Sequence, residues 1–118
     1  MFEKNMTYTY LLDTYGPVLD EGARAIMEAY YNEDLSLAEI ADGIGISRQG
    51  VRHSIKRCEE LLDRYESSLH LCEMLRAQDA MADRLTAAEE CLRTYEDSEL
   101  TSVADTLRQI SHTLRGNR

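Results

Sequence analysis

The sequence has no tryptophan, one phenylalanine, one proline and six glycines in 118 residues. So little proline and glycine favours a mostly helical chain with short connections. No apolar run approaches the ~18 residues that a membrane span requires, so we expect no transmembrane helix. The first residues, MFEKNMTYTYLL, carry one lysine and no uninterrupted apolar core, and they do not resemble a secretory signal. We therefore expect a cytoplasmic protein that does not act at a membrane.

Cysteine is also sparse, and its positions share no metal-binding spacing. Cys58, Cys72 and Cys91 are far apart and form no Cys-x-x-Cys pair, and no histidine lies at finger-like spacing from them. A disulfide framework or a zinc site is therefore not expected. We interpret the three thiols as small, reduced core or interface residues.

Catalytic arrangements are missing as well. Glu66, His70 and Glu73 share one helix face, but a carboxylate-bridged metal site needs a second such set on a facing helix, so we interpret them as a solvated face. Glu89 and Glu90 are adjacent and do not share a helix face, which excludes an acid/base dyad. There is no glycine-rich phosphate loop and no nucleophile with a base at recognisable spacing. We expect no enzymatic activity, no metal and no other cofactor.

Positive charge is scarce and concentrated in one window. The chain has 13 Lys and Arg against 22 Asp and Glu, a formal net charge of −9. Residues 47–57 contain four basic side chains and no acid, whereas residues 1–46 carry −7 and residues 58–118 carry −6. An acidic body with one basic stripe would repel DNA everywhere except at that stripe. Four cations bind weakly at physiological salt, so two copies would be needed.

Residues 37–56, LAEIADGIGISRQGVRHSIK, have the pattern of a helix-turn-helix. Gly45 supplies the permissive backbone of the turn, and Ser47 is suited to cap the second helix. A two-helix corner also occurs as plain packing, but here the glycine, the cap and the apolar spacing agree. The positions predicted to form the buried face are Leu37, Ile40, Ala41, Ile44, Ile46, Val51 and Ile55.

The outward face of the second helix predicts a nucleic-acid-binding surface, with DNA as the expected partner. Arginine and lysine suit guanine, and Gln49 suits adenine. Ser47 and Arg57 are predicted to bind phosphates. An RNA backbone stays open as an alternative, because the same cations suit either kind of phosphate chain. The side chains predicted to face base edges are Arg48, Gln49, Arg52, His53 and Lys56.

The residues before the corner predict two further helices. The first covers residues 6–15 and ends at Gly16-Pro17, and the second is capped by Asp20 and ends near Asn32. Ser36 and Glu39 have the spacing of a capping box at the start of the corner. The rings of Tyr8, Tyr10 and Tyr15 are predicted to close the core with their hydroxyls at its edge; a stacking platform for bases is the alternative.

Beyond the corner, apolar residues continue at steps of 4 and 3 from Val51 to Cys72. A helix unbroken from residue 47 to residue 75 would be about 43 Å long, longer than the small domain. Either it pairs with a second subunit, which predicts a homodimer, or it bends near Ser67-Ser68 and folds back as a monomeric bundle. The pairing predicts a dimer seam of Leu62, Tyr65, Leu69 and Cys72.

The remaining residues predict a helical hairpin with acidic outer faces, formed by residues 80–95 and by a last helix that Ser98 can cap. The fold class is therefore all-α, with a helix-turn-helix domain over residues 1–66, its corner at residues 36–57, and a helical arm over residues 67–118. The arm is predicted to serve dimerisation or docking on another protein.

The run AYYNEDLSLAEIADGIGISRQGVRHSIKRCEELLDRYE closely resembles the YlxM-like proteins of bacteria. The resemblance covers most of the chain and grows thin after about residue 80. Alanine would be usual at Gly50, where glycine costs up to ~1 kcal/mol of helix propensity. The motifs that carry the resemblance are Tyr30-Tyr31, an acidic linker, Ser36-Leu37-Ala38-Glu39-Ile40-Ala41, Ser47-Arg48-Gln49 and Ile55-Lys56-Arg57.

This resemblance implies a helix-turn-helix regulatory protein linked to the signal recognition particle pathway, largely through the neighbourhood of its gene. The corner is in turn similar to the promoter-reading domain of bacterial sigma factors and to winged-helix-like domains. The resemblance implies DNA recognition and transcription regulation through the fold. The alternative is a non-enzymatic adaptor that binds signal recognition particle protein or RNA without reading a DNA sequence.

Overall fold

The computed structural model describes residues 4–116, and within them it contains helices and no β-strand. The predicted all-α class is confirmed, and the strands that would form the wing of a winged helix are absent from this range. None of the helices within residues 4–116 is long and apolar enough to cross a membrane. The helices are α1 Met6–Tyr15, α2 Glu21–Tyr31, α3 Leu37–Ile44, α4 Arg48–Leu69, α5 Leu71–Arg93 and α6 Ser98–Arg115, with a short 3-10 turn at Gly16–Val18.

Side-chain caps determine where the first helices begin. The Asp20 carboxylate accepts a hydrogen bond from the Ala23 amide at 2.8 Å. Ser36 and Glu39 exchange the two bonds of a capping box, at 3.1 and 3.2 Å. All three residues cap where the sequence predicts. At α6 the prediction was wrong by one residue, because Asp97 rather than Ser98 accepts the amides of the first turn.

The chain divides into two compact units, one that ends at Cys72 and one that begins at Glu73. In the first unit α4 supplies four buried side chains and contacts α1, α2 and α3. Full burial of each large apolar side chain contributes about 1.5–3 kcal/mol. The core of this unit comprises Leu11, Leu12, Tyr15, Leu19, Met27, Ile40, Ala41, Val51, Ile55, Cys58, Leu62 and Cys72.

Of the two alternatives for this helix, the structure shows a break close to Ser67-Ser68 and not one unbroken helix to residue 75. α4 has 22 residues and ends at Leu69, because His70 adopts a left-handed conformation with φ 52°. The Tyr15 hydroxyl accepts the amide of Leu71 at 3.1 Å and donates to Glu66 Oε1 at 2.6 Å. Glu66 Oε1 also accepts the amide of Cys72 at 2.9 Å. These contacts, which we call the Tyr15–Glu66 cap, satisfy the first amides of α5.

The predicted dimer seam is not one exposed surface. Leu62 and Cys72 are 0 and 6 % exposed and belong to the core of the chain itself. Tyr65 is half-buried, with its ring centroid 5.7 Å from that of Tyr15, and only Leu69 is exposed. The heptad-like spacing on α4 therefore serves packing within the first unit. The prediction that these four residues together form a dimer seam was wrong.

In the second unit, α5 and α6 form an antiparallel hairpin joined by residues 94–97. Its buried contacts are small or polar, since the Ser111 hydroxyl lies 3.0 Å from that of Thr86 and donates to the Ala82 carbonyl at 3.2 Å. The Glu89 carboxylate is buried and accepts from Arg93 at 2.7 Å and from Arg108, which lowers its pKa.

The cysteines divide between core and surface. Cys58 and Cys72 are buried, and burial raises the pKa of the Cys58 thiol. Cys91 is exposed, so it is not a core residue, and its interface position stays a prediction.

Candidate nucleic-acid interface

The turn between α3 and α4 has the geometry of a helix-turn-helix corner. Gly45 ends α3 with φ 76°, a left-handed conformation that favours glycine, and its amide donates to the Ala41 carbonyl. Ala41 is 5 % exposed, so its small side chain allows the two helices to meet. The sequence was wrong about Ile44 and Ile46, which are 52 and 45 % exposed on either side of the turn rather than buried.

The start of α4 carries the predicted basic side chains on its surface. The Ser47 hydroxyl accepts the Gly50 amide at 3.0 Å and caps the helix, as predicted. Val51 and Ile55 are buried on the opposite side of α4. Within residues 48–57 six side chains are exposed, and we call them the basic ridge: Arg48, Gln49, Arg52, His53, Lys56 and Arg57.

Helical spacing arranges the ridge in two adjacent rows. Gln49 and His53 lie opposite the buried positions, and Arg52 and Lys56 lie beside them. From residue 48 to residue 56 the ridge extends about 12 Å along the helix axis at ~1.5 Å per residue. That length matches roughly four base pairs, and an α-helix fits the major groove of B-DNA.

The ridge is not neutralised by the chain's own acids. Among the ion pairs that the structure describes within residues 4–116, none involves a ridge side chain. Three of the four acidic residues that follow on α4 bind tyrosine hydroxyls, whereas Glu60 is exposed. Glu59 accepts the Tyr31 hydroxyl at 2.5 Å, Asp63 accepts the Tyr8 hydroxyl at 2.8 Å, and Glu66 takes part in the Tyr15–Glu66 cap.

These three phenol–carboxylate bonds fix α4 against α1 and α2. Desolvation and the neighbouring carboxylate raise the pKa of Tyr8 to about 12, and the same causes raise the pKa of Tyr31. The rings of Tyr8 and Tyr15 therefore close the domain with their hydroxyls at its edge, as predicted, whereas Tyr10 is 42 % exposed and the prediction was wrong for its ring. Sequence reasoning missed the partners, although carboxylates at positions 59, 63 and 66 of one helix already share a face.

Lys4 is a further structural contributor that the sequence did not reveal. Its ammonium donates to the carbonyls of Tyr30 and Leu35 at 2.5 and 2.9 Å and pairs with Asp34 at 3.1 Å. The same ammonium lies 3.9 Å from the centroid of the Tyr30 ring. Lys4 thereby ties the end of α2 to the linker before α3, which stabilises the entry to the corner.

Gly50 lies within the first turn of α4 and contacts the chain itself. A Cβ at this position would lie 3.3 Å from Ser47 Oγ and 3.5 Å from Ile46 Cδ1. An alanine would fit if the Ser47 cap moved by a few tenths of an ångström. Gly50 therefore marks close packing between the cap and the helix.

One flank of the ridge borders an open groove of 440 Å³ between the start of α2 and α4. His53 and Arg57 line the groove from α4, opposite Leu19, Asp20 and Ala23. Arg57 thus lies on the α2 side of the ridge, apart from the row of Arg48, Arg52 and Lys56.

Among residues 4–116 no group of three or more His, Cys, Asp or Glu side chains could hold a metal ion. In this unit the Glu66 carboxylate is instead engaged by Tyr15 and Cys72. At its corner the first unit offers cations and hydrogen-bond donors, which suit binding to a polyanion. Two exposed isoleucines lie beside them.

Comparisons with known proteins agree with this arrangement. Residues 2–102 match the model of the UPF0122 family, described as "Putative helix-turn-helix protein, YlxM / p13 like". A UPF0122 protein of Clostridium kluyveri is 49 % identical over 71 residues, 60 % of this chain and 64 % of that protein. The chain therefore spans slightly less than two thirds of the length of this relative.

Two further relatives are covered more fully. A UPF0122 protein of Limosilactobacillus reuteri is 40 % identical over 83 residues, 70 % of this chain and 74 % of that protein. A UPF0122 protein of Halalkalibacterium halodurans is 36 % identical over 97 residues, 82 % of this chain and 89 % of that protein. The capped corner, its left-handed glycine and these matches together show that the chain belongs to the YlxM-like UPF0122 family of helix-turn-helix proteins.

Proposed function

We propose that the protein is a non-enzymatic regulator that binds duplex DNA by inserting the start of α4 into the major groove. The observation that carries the proposal is the exposure of all six ridge side chains in a chain with 22 acidic residues. In a protein this acidic, cations that paired with the chain's own carboxylates would lower its electrostatic energy. A polyanionic partner explains why the ridge cations stay unpaired instead.

Three ridge residues and their neighbours at the turn would contact the duplex in this proposal. Arg52 and Lys56 would contact guanine, and Gln49 would contact adenine through its amide. Ser47 lies at the positive end of α4, where a phosphate is also favoured. The exposed Ile44 and Ile46 beside this end would contact sugars or thymine methyl groups.

The biological context follows from the family resemblance. We propose that the protein acts in the cytoplasm, in the signal recognition particle pathway of co-translational targeting. A second candidate is an adaptor that binds the RNA or the protein of that particle without reading DNA. The open cations favour the RNA form of this candidate, because they suit a phosphate backbone of either kind.

A selection of binding sites from random duplexes tests the proposal. We expect an enriched sequence at low salt, and an Arg52→Ala variant that loses about 1–3 kcal/mol on that sequence and relaxes preference at one base pair. Arg64→Ala is the matched control, because Arg64 is exposed on the same helix beyond the ridge, and it should bind as the wild type does.

Duplex and RNA binding, each measured at two salt concentrations, separate the DNA-binding regulator from the adaptor. If the four cations of residues 47–57 neutralise phosphates, the logarithm of the duplex binding constant should fall with the logarithm of salt with a slope of about −3 to −4 per copy. Signal recognition particle RNA is measured beside the duplexes at two salt concentrations. No enriched duplex, together with tighter RNA binding that Arg52→Ala weakens, would reject DNA reading and support the adaptor.

Because four cations bind weakly on their own, we further propose that two copies act together as a homodimer. Two ridges one helical turn apart would then contact successive major grooves.

A further inference from the structure

Lysine is almost absent from this chain. Of its 13 basic side chains 11 are arginines, and the two lysines are Lys4 and Lys56. A lysine amine becomes a nucleophile when it loses its proton, whereas an arginine guanidinium stays protonated in proteins. Acylation of a side-chain amine is therefore possible at two positions of the sequence.

The ammonium of Lys4 is surrounded by the protein itself. The Lys4 side chain is 15 % exposed, and its Nζ donates to the carbonyls of Tyr30 and Leu35 at 2.5 and 2.9 Å. The same nitrogen pairs with Asp34 at 3.1 Å and lies 3.9 Å from the centroid of the Tyr30 ring. Because these partners surround the nitrogen, an acyl donor reaches it only after the contacts break.

Lys56 is open on the basic ridge. Its side chain is exposed, and none of the ion pairs described within residues 4–116 involves its ammonium. Glu60 follows one helical turn later and is also exposed, but it forms no ion pair with Lys56 in this range. Of the two lysine amines, solvent therefore reaches the one on the ridge.

The arginines around Lys56 favour an anionic acyl donor. Arg52 lies one helical turn before Lys56 and Arg57 follows it directly, and both are exposed. Activated acyl groups are carried as acyl phosphates or as thioesters of phosphorylated carriers such as coenzyme A, and both kinds of donor are anions. An open cationic surface raises the local concentration of anions. The ridge therefore holds a nucleophile among the charges that attract its co-reactant.

We propose that Lys56 is an acylation site and that its modification weakens the binding of nucleic acid to the ridge. The ammonium gives one proton to solvent, and the neutral Nζ attacks the acyl carbonyl carbon. A C–N bond forms while the C–O bond of an acyl phosphate, or the C–S bond of a thioester, breaks. The leaving group departs as phosphate or thiolate, and the nitrogen loses a second proton to solvent. The product is a neutral amide, and no atom is oxidised or reduced.

The expected effect follows from the charge. Acylation removes one of the four cations of residues 47–57 and leaves Arg48, Arg52 and Arg57. The slope of the logarithm of the binding constant against the logarithm of salt should shrink by about 0.9 per copy. At physiological salt this weakens binding about 5-fold or more, since Lys56 also contacts guanine in the proposed complex. This effect rests on the proposed function, whereas the acylation itself requires no nucleic acid.

The test treats the full-length protein with acetyl phosphate in one arm and acetyl-coenzyme A in the other, and tandem mass spectrometry assigns the acetylated residues. Lys56 should react about 10-fold or more faster than Lys4, because a hydrogen bond from a charged group is worth about that factor and Lys4 must break two. Salt should slow the reaction at Lys56 by screening. Arg52→Ala should slow it as well, and the matched control Arg64→Ala, exposed beyond the ridge, should not.

Duplex binding is then compared before and after treatment. Treated wild type should bind about 5-fold or more weakly, as Lys56→Gln should without treatment. Lys56→Arg keeps the charge and lacks the amine, so treatment should leave its binding as it was. Bound duplex should in turn protect Lys56 from acetylation.

The outcomes separate this inference from the proposed function. Equal rates at Lys4 and Lys56 with both donors overturn the inference, and so does a wild type acetylated at Lys56 that binds duplex as tightly as untreated protein. Untreated protein that binds neither duplex DNA nor RNA would reject the proposed function instead. Fast acetylation of Lys56 that depends on Arg52 would then still support the acylation site.

Discussion

Removal of the Tyr15 hydroxyl should unfold the first unit at markedly lower denaturant. Tyr15 is 4 % exposed, and its hydroxyl serves two partners, Glu66 at 2.6 Å and the Leu71 amide at 3.1 Å. A Tyr15→Phe substitution keeps the ring and its contact with Tyr65 but removes both hydrogen bonds. It therefore isolates the contribution of the Tyr15–Glu66 cap.

The magnitude follows from the two bonds. A hydrogen bond to a charged group contributes about 1.5–3 kcal/mol, and an amide left without its acceptor costs about 1 kcal/mol more where water does not replace it. Since Leu71 is half-buried, water recovers part of the second term. We expect a loss of about 2–3 kcal/mol in the free energy of unfolding, which is a large part of the 5–15 kcal/mol typical of a domain.

Urea denaturation followed by circular dichroism measures this loss. A double-mutant cycle with Glu66→Ala should give a coupling free energy above about 1 kcal/mol, because each substitution removes the bond between the Tyr15 hydroxyl and the Glu66 carboxylate. Tyr30→Phe is the control, since Tyr30 is half-buried and, within residues 4–116, its contacts are made by its carbonyl and its ring. If Tyr15→Phe costs no more than Tyr30→Phe, or the coupling is below about 0.5 kcal/mol, the cap does not stabilise the junction.

Two further predictions concern pH and the turn. The pKa of Tyr8 is raised to about 12 in the folded protein. The contribution of its protonated hydroxyl to the free energy of unfolding is therefore complete below pH 10 and is lost as pH rises from 10 to 12. The urea midpoint should fall over that range, and it should fall less in Tyr8→Phe. Gly45→Ala should destabilise by about 1 kcal/mol because φ is 76°, whereas Gly43→Ala, in open space within α3, should stabilise by about 0.5–1 kcal/mol; equal shifts in thermal midpoint would contradict the role of Gly45.

The elements that the sequence predicted well depend on neighbouring residues. The Asp20, Ser36 and Ser47 caps and the left-handed Gly45 each involve groups within four positions of one another. Local chemistry therefore sufficed to define the corner. The outward direction of the basic ridge followed as well, because helical periodicity alone determines it once Val51 and Ile55 are buried.

The elements that it missed depend on distant residues. The break at His70 lies near the Ser67-Ser68 pair, as one alternative predicted, but the Tyr15 hydroxyl that accepts the Leu71 amide there lies 56 positions earlier in the sequence. The same heptad spacing is compatible with a core or with a dimer seam, so periodicity could not assign Leu62 and Cys72 to the core. The exposure of Ile44 and Ile46 likewise depends on how many helices surround the corner.

The three phenol–carboxylate bonds have a consequence for how binding could change during evolution. They lie on α4 about 20 Å from Arg48 at ~1.5 Å per residue, so a tilt of roughly 10° at that end would displace the first turn by about 3.5 Å, one base-pair step of duplex DNA. Under the proposed DNA-binding function, a single tyrosine-to-phenylalanine replacement far from the basic ridge would shift which bases α4 contacts while every contacting side chain stays the same.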